Sequence, residues 1–143
     1  MNRMDLNNYC LNKGYVTTAF PFDDETLIYK VGSKMFVLTN IKSQIFSINL
    51  KCDPLMSIDL RQEYEAIKPG YHMNKLHWNT ITINESLSDE KIKFLIDLSY
   101  DLVYNGLKKS EKIALETKKH EKSVVHWKLS DPIRKWFLYL GYQ

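Results

Sequence analysis

The sequence predicts an α+β fold in which an antiparallel β-sheet meander is packed with helices on one side. Three observations predict it. Strand-like runs, TLIYKV, KMFVLT and IFSINLK, follow one another early with short connections. Apolar stripes at helical spacing gather mainly later in the chain. No strand–helix–strand alternation occurs, which removes the parallel-sheet classes. With 143 residues, 44% hydrophobic and 13% aromatic, the chain carries enough apolar surface for one packed core.

The elements follow in order. From Met4 to Asn12, Leu6, Tyr9 and Cys10 fall at helical spacing, with Asn12 and Gly14 available to stop a short first helix. After the Phe20-Pro21-Phe22 turn, two β-type runs flank Gly32-Ser33, and glycine at the first central position of a two-residue loop predicts a type II′ hairpin. Pairing Val31 with Lys34 places Leu27, Tyr29, Val31, Phe36 and Leu38 on one face and Ile28, Lys30, Met35 and Val37 on the other. In IFSINLK, Phe46, Ile48 and Leu50 alternate with Ser47 and Asn49, giving a third strand.

Asp53-Pro54 is an N-cap followed by proline at the first helical position, and Leu55, Ile58, Tyr64 and Ile67 extend a helix up to Pro69. WNTITI is a further strand. Ser86 to Asp89 matches a capping box opening a long helix through Lys109, with Ile92, Leu95, Ile96, Leu102, Val103 and Leu107 as its apolar face. Asp131-Pro132 repeats the cap logic, and Ile133, Trp136, Phe137 and Leu140 stripe an extra C-terminal helix before Gly141.

Charge bounds the partners only loosely. The formal net charge is +3, with Asp23, Asp24 and Glu25 clustered early and many of the lysines in the last third, where Glu111, Glu116 and Glu121 dilute them into a solvated helix face. Two cysteines are too few for a disulfide framework. No run approaches the ~20 apolar residues that span a bilayer, and the polar start MNRMDLNNYC lacks the layout of a secretory leader, so a cytoplasmic protein without membrane association is expected.

Phe20-Pro21-Phe22, the hairpin KVGSKMF, Asn49-Leu50-Lys51-Cys52-Asp53-Pro54, Pro69-Gly70-Tyr71-His72-Met73-Asn74-Lys75 and His77-Trp78-Asn79-Thr80 form a specific set. In these motifs the chain resembles the MmcQ/YjbR family of small bacterial proteins. The resemblance implies a CyaY/frataxin-like fold and a "double-wing" DNA-binding motif. It runs from about the first helix to Lys109, giving a domain at 1–109 and an extension at 110–143 outside the family pattern, whose aromatics Trp127, Trp136, Phe137, Tyr139 and Tyr142 are expected to dock on that domain.

Carried onto this chain, the wings are the 30–35 hairpin and the 69–78 loop. Lysines there would neutralise phosphates while aromatic and amide groups add groove contacts, which selects Lys30, Lys34, Lys51, Tyr71, His72, Asn74, Lys75 and His77. Against this, Tyr71 and Trp78 could anchor the loop in the core, with His72, Asn74 and His77 pairing its backbone groups; for Trp78 and Asn79 that is the preferred assignment.

Other chemistries fit less well. His72, His77 and Cys52 do not match the spacing of a zinc site, His120-Glu121 meets Val124 where a second histidine would complete a metalloprotease helix, and a run of carboxylates for iron is absent. Asp53 is explained as a cap and Cys52 as a small buried residue, so no catalytic residue, metal or cofactor is assigned. The expectation is a non-enzymatic, monomeric module binding duplex DNA. The alternative is a protein–protein adaptor using the exposed loop or the aromatic tail.

Overall fold

The computed structural model of the chain describes residues 1–124. The elements run α1 (Arg3–Leu11), β1 (Val16–Ala19), β2 (Thr26–Val31), β3 (Lys34–Asn40), β4 (Ser47–Lys51), α2 (Pro54–Glu63), β5 (Ile67–Pro69), β6 (Trp78–Thr82), α3 (Asp89–Asn105) and α4 (Lys109–Val124). The six described strands form one sheet in the order β1-β2-β3-β4-β6-β5, antiparallel at every pairing. The chain divides after Lys109 into two units. The helix expected after Asp131-Pro132 and the docking of the tail aromatics lie outside the described residues. No described helix is long and apolar enough to cross a membrane.

The fold class is α+β, and the core of the first unit lies on one side of the sheet. There Leu6 and Cys10 of α1, Leu60 of α2, and Ile92, Leu95, Ile96 and Val103 of α3 meet Tyr29, Val31, Phe36, Val37, Ile48, Leu50, Ile67 and Ile81. α3 contributes most because its first turn is capped by Ser88, whose side chain accepts from Lys91 N–H at 3.1 Å, and its stripe faces the centre of the sheet. The cap is Ser88 rather than Ser86, whose hydroxyl and N–H both turn onto Asn84 Oδ1. The helix expected through Lys109 stops at Asn105, with Gly106 as its cap. The lysine-bearing stretch beyond it is the separate helix α4.

The Gly32 hairpin has the predicted register, Val31 opposite Lys34, with φ 58 at Gly32. One residue further on it departs from prediction. Lys30 pairs with Met35 but Tyr29 pairs with Val37, so Phe36 is an extra residue in β3. The bulge turns Val37 to the helix side beside Phe36. Leu38 moves to the opposite face, where it is buried with Ile28 and Trp78.

The bulge also removes a ladder rung, and α3 supplies a replacement. Ser99, fully buried, accepts from Lys51 N–H at 2.9 Å and donates to Phe36 C=O at 2.6 Å, standing between the two groups the extra residue has separated.

Two strands are absent from the sequence reading, and α2, like α3, is shorter than expected. β1 is short and threonine-rich, and it exists by pairing with β2. α2 ends at Glu63, and Ile67 instead pairs with Ile81 as part of edge strand β5. The face predicted for α2 is also wrong: Leu55 is 77% exposed and Ile58 51%, while Ser57 and Leu60 are buried.

Candidate nucleic-acid interface

Register places both sequence-predicted loops at one end of the sheet. The Gly32-Ser33 turn joins β2 to β3, β4 finishes at Lys51, and residues 70–77 join the end of β5 to the start of β6. The hairpin and the loop are separated by β4. At the ~4.8 Å spacing of neighbouring strands, their midlines are about 14 Å apart.

The lysines are held by the strands. Lys30 lies opposite Met35 and Lys51 opposite Trp78, both half-buried on the sheet face away from the helices. Lys34 is exposed at the turn. Lys68, which the sequence reading did not select, lies opposite Thr80 on the same face as Lys51 and is exposed. Among the described residues none of these four lysines has a carboxylate within ion-pair distance.

The loop is held by identifiable contacts. Gly70 N–H bonds Trp78 C=O at 2.8 Å, continuing the β5–β6 ladder. A Cβ on Gly70 would come within 2.9 Å of both Met73 Cβ and Trp78 Cβ, so only glycine fits there. Asn74 Oδ1 accepts from Leu76 N–H at 3.0 Å and His77 N–H at 3.3 Å, an Asx turn that reverses the chain. Lys75 Nζ donates to Gly70 C=O at 3.0 Å across the loop. His77 is half-buried, and its carbonyl accepts from Cys52 N–H at 2.9 Å. Asn74 and Lys75 therefore spend hydrogen bonds on building the loop that the sequence reading had given to contact.

Tyr71 and His72 are turned outward. Tyr71 is 69% exposed, and its backbone N–H is held by Thr80 Oγ1 at 2.9 Å. His72 occupies the left-handed region at φ 57, and its ring lies 4.0 Å from the Tyr71 ring at a 53° tilt. The pair forms an exposed two-ring projection on a fixed backbone.

The residue that ties this loop to the domain is Arg61 of α2, which the sequence reading missed. Its Nε donates to Asn79 Oδ1 at 2.7 Å, and its terminal nitrogen reaches the carbonyls of Lys75 and Trp78. Asn79, 2% exposed, also donates from Nδ2 to the buried Ser57 hydroxyl at 3.1 Å. One trace of this network was readable: in WNTITI, Asn79 shares the inward phase with Ile81, and a polar side chain there needs a buried partner. Nothing in the pattern of α2 identified Arg61 as that partner.

Among the described residues no three or more His, Cys, Asp or Glu side chains converge to hold a metal ion. Beneath the interface, a cavity lined by Leu50, Cys52, Leu60, Ile67, Asn79 and Ile81 has about 10 Å³ of free space, room for one water at most. The arrangement presents four lysines and an exposed pair of rings at one end of the sheet.

Comparison with known proteins places the chain in a family. A family model described as YjbR matches residues 11–102. The chain is 40% identical over 97 residues to YbdF of Escherichia coli O157:H7, covering 68% of this chain and 80% of that protein. It is 30% identical over 107 residues to YjbR of Escherichia coli K12, covering 75% and 91%. The crystal structure of Deinococcus radiodurans DR2400, described as a DUF419 domain, superposes with a TM-score of 0.74 at 39% identity, covering 79% of this chain and 86% of that one. A Pseudomonas syringae crystal structure superposes at 0.64 with 27% identity, covering 72% and 99%.

Proposed function

The chain belongs to the YjbR family, and from the loops it carries at one end of its sheet we propose that it is a non-enzymatic module that binds duplex DNA. The observation that carries this reading is the convergence, at that end, of a hairpin and a hydrogen-bonded loop with Lys30, Lys34, Lys51 and Lys68 free of ion pairs among the described residues. The separation of about 14 Å between the wings is comparable to the ~12 Å major groove, so one wing enters a groove while the other meets a flanking phosphate backbone. Tyr71 and His72 supply shape and edge contacts, and the lysines supply phosphate neutralisation.

Four neutralised phosphates give a slope of about −4 for log K against log salt, a loss of roughly two hundredfold in affinity between 50 and 200 mM. The test is fluorescence anisotropy with a labelled duplex across a salt series, comparing wild type with Lys34→Ala, Lys51→Ala and, in the second unit, Lys118→Ala. The expected result is binding that persists at physiological salt, with each of the two interface changes reducing the slope by about 1 and the control leaving it unchanged. Binding that vanishes by physiological salt, or three variants that behave alike, would overturn the reading. The protein-adaptor alternative draws support from a different observation, the exposed apolar side chains Leu55, Ile58, Tyr71 and Leu76 around the same end.

A further inference from the structure

The first unit is polar from one end of its strands to the other, and each end carries exposed apolar side chains. The end opposite the candidate interface is formed by the β1–β2 connection, the β3–β4 connection and the segment after β6. There Phe20 is 47% exposed, Phe22 65%, Ile41 42% and Ile45 66%. Ile41 N–H bonds Glu25 C=O at 2.8 Å, which joins the two connections into one surface. Such a patch exposes on the order of 400 Å² of apolar surface, the size at which monomers usually carry an interaction site.

The charges around this patch are acidic. Asp23 is held as an anion by the N–H groups of Glu25 and Thr26, at 2.9 and 2.6 Å. Asp24, Glu25 and Glu85 stand with it. The cations here are occupied: Lys42 pairs with Asp24 at 2.7 Å, the N-terminal ammonium of Met1 pairs with Asp89 at 2.7 Å, and Arg3 donates to the Asn40 and Ser43 carbonyls while covering the Phe46 ring. The other end inverts this pattern. Leu55, Ile58, Tyr71 and Leu76 are 77, 51, 69 and 61% exposed. At this end also lie Lys34 and, on the sheet face away from α2, Lys51 and Lys68; of the carboxylates beside the apolar group, Asp53 is spent capping the Leu55 and Met56 N–H groups, and Asp59 stands exposed one turn from Leu55.

From this complementarity of apolar surface and charge we propose that the acidic end of one copy docks on the basic end of a second copy, head to tail. The two surfaces face opposite directions along the same strands, so the contact is heterologous and leaves a free end on each pair. Each side offers less than the ~600 Å² per partner of the smallest stable interfaces, so the association is weak and reversible, and salt loosens it. Duplex DNA and a second copy use overlapping surface at the basic end and exclude one another. The inference goes beyond the DNA reading and does not depend on it.

Sedimentation velocity on the full chain without DNA, from about 20 µM to about 1 mM, tests it. Wild type is expected to sediment as concentration-dependent oligomers that dissociate as salt rises. Two surface variants separate the ends: Phe22→Ser with Ile45→Ser at the acidic end, and Leu55→Ser with Leu76→Ser at the basic end. All four positions are exposed, and circular dichroism checks that each variant is folded. Each variant alone is expected to remain monomeric. Mixing the two leaves one intact end of each kind, so the mixture is expected to form a dimer and nothing larger. A monomeric wild type throughout the range, oligomers that persist in either variant, or a mixture that stays monomeric would each overturn the proposal.

Discussion

Replacing Arg61 with methionine removes the fork that ties α2 to the 70–77 loop while keeping most of the aliphatic stem. Three acceptors lose a donor, and their costs differ. Lys75 C=O belongs to an exposed residue and regains water. Trp78 C=O keeps its bond from Gly70 N–H. Asn79 Oδ1 belongs to a residue only 2% exposed, and an acceptor stranded there costs about 1–3 kcal/mol. The lost charge-assisted bond adds about 1 kcal/mol.

The expected destabilisation is therefore about 3 kcal/mol, a midpoint lowered by roughly 10–15 °C for a unit of this size. Urea titration measures the first quantity, and amide hydrogen exchange of Tyr71, Leu76 and His77 measures the loop. These N–H groups are held by Thr80 Oγ1 and Asn74 Oδ1. They should lose at least about tenfold in protection as the loop opens locally. Arg61→Lys keeps the charge but cannot make the fork, and should recover only a small part. If Arg61→Met lies within about 0.5 kcal/mol of wild type and loop exchange is unchanged, the loop is held by something else and the argument fails.

Two further predictions probe the core of the first unit. Ser99→Ala leaves Lys51 N–H and Phe36 C=O without the hydroxyl that joins them, and should cost about 2 kcal/mol in urea titration with faster exchange at the Lys51 amide; a neutral result would mean that the strands close across the bulge. Burial pushes the Cys10 thiol up to about 12 from an ordinary 9.0. The folded state then keeps a proton the unfolded chain releases, so stability is complete below about pH 9 and falls as pH rises toward 12. The thiol's share is about 2 kcal/mol between pH 9 and pH 10.5. Cys10→Ala should flatten urea midpoints over that range by this amount relative to wild type, and an unaltered pH dependence would refute the assignment.

By itself the sequence determined what depends on neighbours along the chain. Alternation of period two identified the hairpin and the strands β4 and β6, because side chains of an extended chain point to alternate faces. Gly32 set the turn and its register, because a tight hairpin needs a left-handed residue there. Asp53-Pro54 marked the start of α2, and the family motifs marked the two loops.

The tertiary structure decided what depends on partners distant in sequence. β1 and β5 are strands because β2 and β6 provide ladders for them. Val37 and Leu38 exchanged faces because the bulge at Phe36 is stabilised by Ser99 from another element, and no local pattern records an extra residue. Leu55 and Ile58 have helical spacing yet face outward, because the side of α2 against the sheet is chosen by Leu60 and by the polar contact of Ser57 with Asn79. The candidate site divides in the same way. Its loops and most of its cations were legible as motifs, whereas Lys68, the clamp at Arg61 and the meeting of both loops at one end exist only once the strands are ordered β2-β3-β4-β6-β5. Period and capping act over a few residues, but strand order and buried polar pairing are settled by which surfaces meet when the chain collapses.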